Sequence, residues 1–107
     1  MTMLESSTWY LDSGCSRHMT GDSRLLKDLV DHEGPNVSFG DNSKGRVMGK
    51  GKIIHGSITI ENVLLVESLQ YNLISISQLC ENDLVVAFHK EVCYVKNEQG
   101  VTLLTGT

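Results

Sequence analysis

No apolar stretch in this chain runs more than a few residues before a glycine or a polar turn cuts it. Ten glycines and a single proline punctuate 107 residues, and the runs between them have the length of strands. The chain therefore reads as all-β. Thr8 to Leu11 is a short apolar run that ends at Asp12-Ser13-Gly14, a strand entering a tight loop. Ser23 to Val30 carries Leu25, Leu26, Leu29 and Val30 at near-helical spacing, which fits either one helical turn or an irregular strand.

Val37 to Phe39 reads as a strand, the polar Gly40 to Gly45 as a turn, and Arg46 to Ile54 as a glycine-loaded return strand, so that 37–54 makes one hairpin. After a second turn at His55-Gly56-Ser57, the stretch from Ser57 to Ile60 alternates. Val63 to Val66 is continuously apolar, the mark of a strand buried on both faces. Ser75 is placed to cap a short helix running to about Asn82, with Leu79 on its inner side. Leu84 to Phe88 and Val92 to Val95 read as a further hairpin, and Val101 to Leu104 as a last strand. The sum is seven to nine short strands with one or two short helices.

Composition narrows the function classes. Hydrophobic residues make up 40% of the chain and charged residues 21%, enough for one small core and too few charges for a disordered segment. The net charge is −4 and the pI about 5.4. The nine basic residues are scattered, which argues against nucleic-acid binding. No run of roughly 18 apolar residues exists, so no membrane span is expected. Three cysteines, Cys15, Cys80 and Cys93, with no secretory signal read as reduced thiols. Residues 1–7 read as an N-terminal extension, either an artificial leader or the cut end of a longer polyprotein, before one domain over 8–107.

The chemistry lies at Asp12-Ser13-Gly14. The tripeptide alone is common, but here an apolar strand delivers the carboxylate, a hydroxyl follows it, and a glycine permits the sharp turn that exposes it. Aspartic-protease chemistry needs those parts. Two carboxylates must lie close enough to share one proton, because like charges at that range cannot both ionise. One then acts as general base on a water while the other, protonated, polarises the scissile carbonyl. This chain has one such loop and no second apolar strand ending in Asp-Ser/Thr-Gly. A single carboxylate implies a two-fold dimer with both Asp12 residues at the axis.

The stretch from Trp9 to Gly21, with its aromatic-led strand, Asp-Ser-Gly, and then His18-Met19-Thr20, resembles the start of the protease domain of copia-type long-terminal-repeat retrotransposon polyproteins. Val47 to Ile53, Asn62 to Val66 and Tyr71 to Cys80 extend the likeness in the same order, over roughly Thr8 to Cys93. The resemblance implies a retropepsin-like acid protease fold. That means a closed β-barrel-like subunit, a flap hairpin over a shared cleft, and a homodimer. It implies Asp12, Ser13 and Gly14 as the catalytic loop, with Ser13 locking the two loops by its hydroxyl.

The flap tip would be Gly40, Asp41, Asn42, Ser43, Lys44 and Gly45, in contact with substrate. The implied substrate is a Gag-Pol polyprotein or peptide, bound extended; the implied location is cytoplasmic, within virus-like particles. No metal or organic cofactor, no nucleic acid and no membrane is implied. Retroviral members usually carry Gly where this chain has Ser75.

Cys15 and His18 have the spacing of half a zinc site, but no close Cys/His pair supplies a second half. A local hydrogen bond is the expected role of His18, and tuning of the Asp12 pair is the alternative. Gly49-Lys50-Gly51 lacks phosphate-loop spacing, and a bending flap strand accounts for its glycines. Two rivals stand beside the protease: an inactive retropepsin-like dimerisation or peptide-binding domain, and a nucleic-acid-binding fragment of the same polyprotein.

Overall fold

The computed structural model of the chain describes residues 2–3, 9–12, 14–39, 43–55, 58–81, 85–89, 92–96 and 102–106. Ser13, Gly40, Asp41 and Asn42 lie outside them, as do the side chains of 85–89, 92–93 and 102–106.

The described residues are mostly strand. β1 (Thr2–Met3), β2 (Trp9–Asp12) and β3 (Met19–Thr20) lead into a 3-10 turn at Ser23–Leu25. The Asp22 side chain caps that turn by accepting the Arg24 N–H, and β4 (Lys27–Asp31) follows directly. Helical turn and strand, alternatives in the sequence, thus divide the segment between them. β5 (Val37–Phe39), β6 (Ser43–Gly45), β7 (Val47–His55), β8 (Ile58–Val66) and β9 (Asn72–Ser75) precede one α-helix, α1 (Ile76–Glu81). β10 (Val85–His89), β11 (Val92–Lys96) and β12 (Thr102–Gly106) end the chain. The strand count among described residues is higher than expected, because two- and three-residue strands leave no periodicity to read.

Seven strands form one sheet in the order β1-β2-β9-β3-β8-β7-β4. β2 runs parallel to β9, with Asp12 opposite Ser75, while β3 runs parallel to β8 and antiparallel to β9. β1 and β4 stand at the two ends of this sheet, so closure into a barrel is not among the pairings of the described residues. β10, β11 and β12 make a separate antiparallel meander.

Along Val63 to Val66 of β8 the sheet is covered on both faces, which is why that run carries no polar residue. Strand side chains alternate between faces. Val63 packs with Trp9, Leu11, Leu26, Ile60, Ile74 and Leu79, and Leu65 lies against that group. Leu64 and Val66 pack instead with Cys15, Met19, Val47, Leu69 and Leu73. Val95 of β11, fully buried, joins the first cluster and ties the meander to the core.

The two expected strands at 57–60 and 63–66 are one strand. Asn62 takes a left-handed φ of 59°, tolerable for asparagine, and the β7–β8 register shifts between Gly51 and Ile53.

The expected hairpin over 37–54 is shorter than that. β5 pairs with β6 as an isolated ribbon, Val37 opposite Gly45. β7 pairs instead with β8 and β4. Gly49 and Gly51 are therefore buried in the body of the sheet and do not lie on a free flap strand. A Cβ at Gly49 would come within 3.0 Å of the Val30 carbonyl oxygen and Leu29 Cδ1; at Gly51 it would meet Leu26 Cβ and the Lys27 carbonyl oxygen at the same distance. Close approach of β4 explains both glycines.

Candidate functional site

Asp12 is the last residue of β2. Its strand is held by the parallel ladder to β9 and by Trp9 and Leu11, which are 3% and 2% exposed in the core. Asp12 itself is half-buried and Gly14 exposed, so the chain delivers a carboxylate from a rigid strand to the surface. The Gly14 N–H donates to Asp12 Oδ1 at 2.8 Å. A Cβ at Gly14 would stand 3.3 Å from that same oxygen, so a larger residue would crowd the carboxylate. Ser13, between them, lies outside the described residues.

Beyond Gly14 the chain turns inward. Cys15 is buried, and its thiol donates to the Arg17 carbonyl at 2.8 Å. Burial pushes the Cys15 thiol up from its ordinary pKa, and the charge of Asp12 adds to the rise. His18 is fully buried, and its Nδ1 accepts the Ser75 backbone N–H at 2.9 Å. Its own N–H donates to Gln78 Oε1 at 2.9 Å. Burial, with help from the Arg17 cation, lowers the His18 pKa to about 4. The local hydrogen bond expected of His18 is thus a long-range one, spanning 57 residues of sequence.

The residues after His18 continue the pattern. Met19 is core and stands opposite Leu73 in the ladder. The Thr20 hydroxyl donates to Asn72 Oδ1 and accepts the Asp22 N–H. Gly21 lies so close to the Leu69 backbone that a Cβ there would reach 2.0 Å from its carbonyl oxygen. Across the sheet, Ser75 caps α1 as expected, its Oγ accepting the Gln78 N–H at 3.1 Å, and Leu79 is buried on the inner side of the helix. Gln78 Nε2 reaches the Asn62 carbonyl of β8 at 3.2 Å. The stretches from His18 to Gly21 and from Asn72 to Gln78 therefore interlock directly behind the Asp12 rung.

Of the expected flap residues, Ser43, Lys44 and Gly45 form β6, with Ser43 and Lys44 exposed and Gly45 buried; Gly40, Asp41 and Asn42 lie outside the described residues. Val37 and Phe39 of β5 pack against the cluster that holds Cys15, as does Tyr10. The ribbon is thus rooted in the same cluster as residues two or three positions to either side of Asp12. Among the described residues no three His, Cys, Asp or Glu side chains gather as a metal site.

Fold and site together define a small β domain of mixed parallel and antiparallel pairing that presents one strand-end aspartate beside a glycine turn. Residues 9–84 match the family described as Pol polyprotein, beta-barrel domain, and the chain belongs to that family. It is a retrotransposon Pol-related domain, and the β10–β12 meander lies beyond the matched span. The chain is also similar to the putative transposon Ty5-1 protein of Saccharomyces cerevisiae, at 29% identity over 72 residues. That match covers 67% of this chain and 49% of the yeast protein, so the chain spans about half the length of the curated relative. No solved structure matches.

Proposed function

We propose that this domain is a retropepsin-like aspartic endopeptidase that cleaves a retrotransposon Gag-Pol polyprotein as a homodimer, each copy supplying Asp12. The observation that carries this reading is the half-buried Asp12 at the end of a core strand, with the Gly14 N–H turned back onto its Oδ1. Membership of a Pol polyprotein domain family supplies the polyprotein setting.

In the dimer the two Asp12 carboxylates share one proton. The ionised carboxylate takes a proton from a water, the water oxygen attacks the scissile carbonyl carbon, and the protonated partner hydrogen-bonds the carbonyl oxygen. The resulting tetrahedral carbon expels the amine, which leaves with a proton returned by the carboxyl pair. The Gly14 N–H donates to a carboxylate oxygen in this arrangement, and Ser13 bridges the two loops. Substrate lies extended in the cleft and pairs through its backbone with the strands that border it. The β5–β6 ribbon, including Gly40 to Gly45, closes over the substrate as the flap. The chemistry needs no metal or organic cofactor.

The test is hydrolysis of peptides spanning Gag-Pol junctions, followed by mass spectrometry. The parental protein is expected to cut at a defined bond, and Asp12→Asn to form a dimer that does not cut. Equal cleavage by both proteins would remove Asp12 from the mechanism. A well-folded parental dimer that binds these peptides and never cuts them would establish the inactive peptide-binding domain instead.

A further inference from the structure

His18 is fully buried, and the carboxylate chemistry above makes no use of it. Its place in the sheet suggests a use. β9 lies between β2 and β3. On one side its last residue, Ser75, is the parallel partner of Asp12. On the other side β3 is only two residues long and meets β9 at Met19 opposite Leu73. The backbone ladder has therefore ended before it reaches Ser75, whose N–H needs a partner because a buried amide left unpaired is costly. The His18 imidazole fills that place: Nδ1 accepts the Ser75 N–H at 2.9 Å.

The imidazole is itself held firmly. The His18 N–H donates to Gln78 Oε1, and its carbonyl accepts the Leu64 N–H, each at 2.9 Å. One residue thus links β3, β8, β9 and α1 behind the Asp12 rung. With Nδ1 as acceptor the ring proton sits on Nε2, a buried atom with no hydrogen-bond partner among the described residues. A second proton would have to go to Nδ1 and would break the bond to Ser75. Arg17 is the charged side chain acting on the ring; Ser75 of β9, Gln78 of α1 and Leu64 of β8 bring uncharged groups to it.

We infer that His18 is a positioning residue for Asp12: its neutral Nδ1 fixes Ser75, and with it the rung of β9 against which the carboxylate is set. The inference rests on the aspartic-protease reading of Asp12. It makes His18 part of the site through Ser75, without contact with the reacting atoms.

Two variants test it. In His18→Asn the side-chain Oδ1 can stand near the position of Nδ1 and keep an acceptor for Ser75; His18→Leu has none. Both are checked for fold and dimer mass. They are then compared with the parent in kcat and KM on a Gag-Pol junction peptide and in the carboxyl 13C resonance of Asp12. His18→Leu is expected to lose about 10- to 100-fold in kcat at near-parental KM, the scale of a small misplacement of a reacting group. Its Asp12 resonance is expected to move. His18→Asn is expected to stay within about threefold of the parental kcat and to keep the parental resonance.

A folded His18→Leu dimer with parental kcat and an unmoved Asp12 resonance overturns the inference. So does a folded His18→Asn dimer that loses as much as the leucine variant. If His18→Leu does not fold, His18→Asn decides alone: retained kcat and resonance support the inference, and a roughly tenfold loss overturns it. If the parent cuts no junction peptide, the protease reading fails separately. The resonance then still reports on positioning: displaced in leucine and kept in asparagine supports it, unmoved in both overturns it.

Discussion

Lowering the pH from neutral to 4 should unload a defined part of the stability of this fold, and His18 sets how much. The folded imidazole has a pKa lowered from 6.5 to about 4, first by burial and then by Arg17. A depressed folded pKa means that the unfolded chain binds the proton more readily. Stability is then fully present above the unfolded value and is lost as pH falls through 6.5 toward 4. At about 1.4 kcal/mol per pH unit, the difference amounts to roughly 3 kcal/mol. That is a large share of the ~5–15 kcal/mol typical of whole domains.

The assay is urea unfolding at fixed protein concentration across that window, in an Asp12→Asn background that removes the carboxylate of the proposed site from the comparison. The midpoint is expected to fall steadily with acidification, with a slope approaching ~1.4 kcal/mol per pH unit below 6. The double variant Asp12→Asn/His18→Asn is expected to be nearly flat over the same range. Asp22 and Asp28 are also held below the usual carboxylate range, by hydrogen bonds from Arg24 and Lys52 respectively. Their stabilisation, screened by solvent, is lost only as pH falls below the ordinary carboxylate value. Equal slopes with and without His18 between pH 6.5 and 4 would show that the buried imidazole does not carry the effect.

Other perturbations follow from the packing. Gly21→Ala drives a methyl into the Leu69 backbone and is expected to cost about 2 kcal/mol or more, a fall in Tm on the order of 10 °C; an unchanged Tm in calorimetry would contradict the close approach of Gly21 to Leu69. Gly49→Val and Gly51→Val are expected to lower stability by roughly 1–3 kcal/mol through the crowding of β4, with turnover of the surviving folded protein little changed. A selective loss of turnover at parental Tm would return those glycines to the flap. Cys80 is exposed and Cys15 buried, both as free thiols. Alkylation is expected to label Cys80 in the native protein and Cys15 only on unfolding; equal rates would refute the burial of Cys15.

The elements legible in the sequence were those whose residues answer to local rules. Val63 to Val66 is apolar because β8 is covered on both faces there, and Ser75 caps α1 through a bond to a residue three positions on. The strand ending at Asp12 announced itself by its apolar run and the glycine two residues later. What stayed hidden depends on partners far along the chain. His18 and Thr20 look like loop residues until β9 is laid beside β3, when they meet Ser75 and Asn72. Gly49 and Gly51 carry no sign of which strand crowds them, so a bending flap and a tightly crossed sheet read alike. The β5–β6 ribbon was read too long because Arg46, where the chain passes from ribbon to sheet, is an ordinary polar residue in an otherwise continuous extended run.

The proposed active site is shared, built from two Asp12 carboxylates, and subunit mixing measures that directly. Parental protein is equilibrated with increasing Asp12→Asn protein at constant total concentration, well above the dimer dissociation constant, and junction-peptide cleavage is followed. If each site needs both aspartates, activity falls as the square of the parental fraction, to about a quarter at an equal mixture of randomly paired subunits. Activity that falls only in proportion to the parental fraction, to about half at that mixture, would mean that each copy cuts alone and would contradict the shared site.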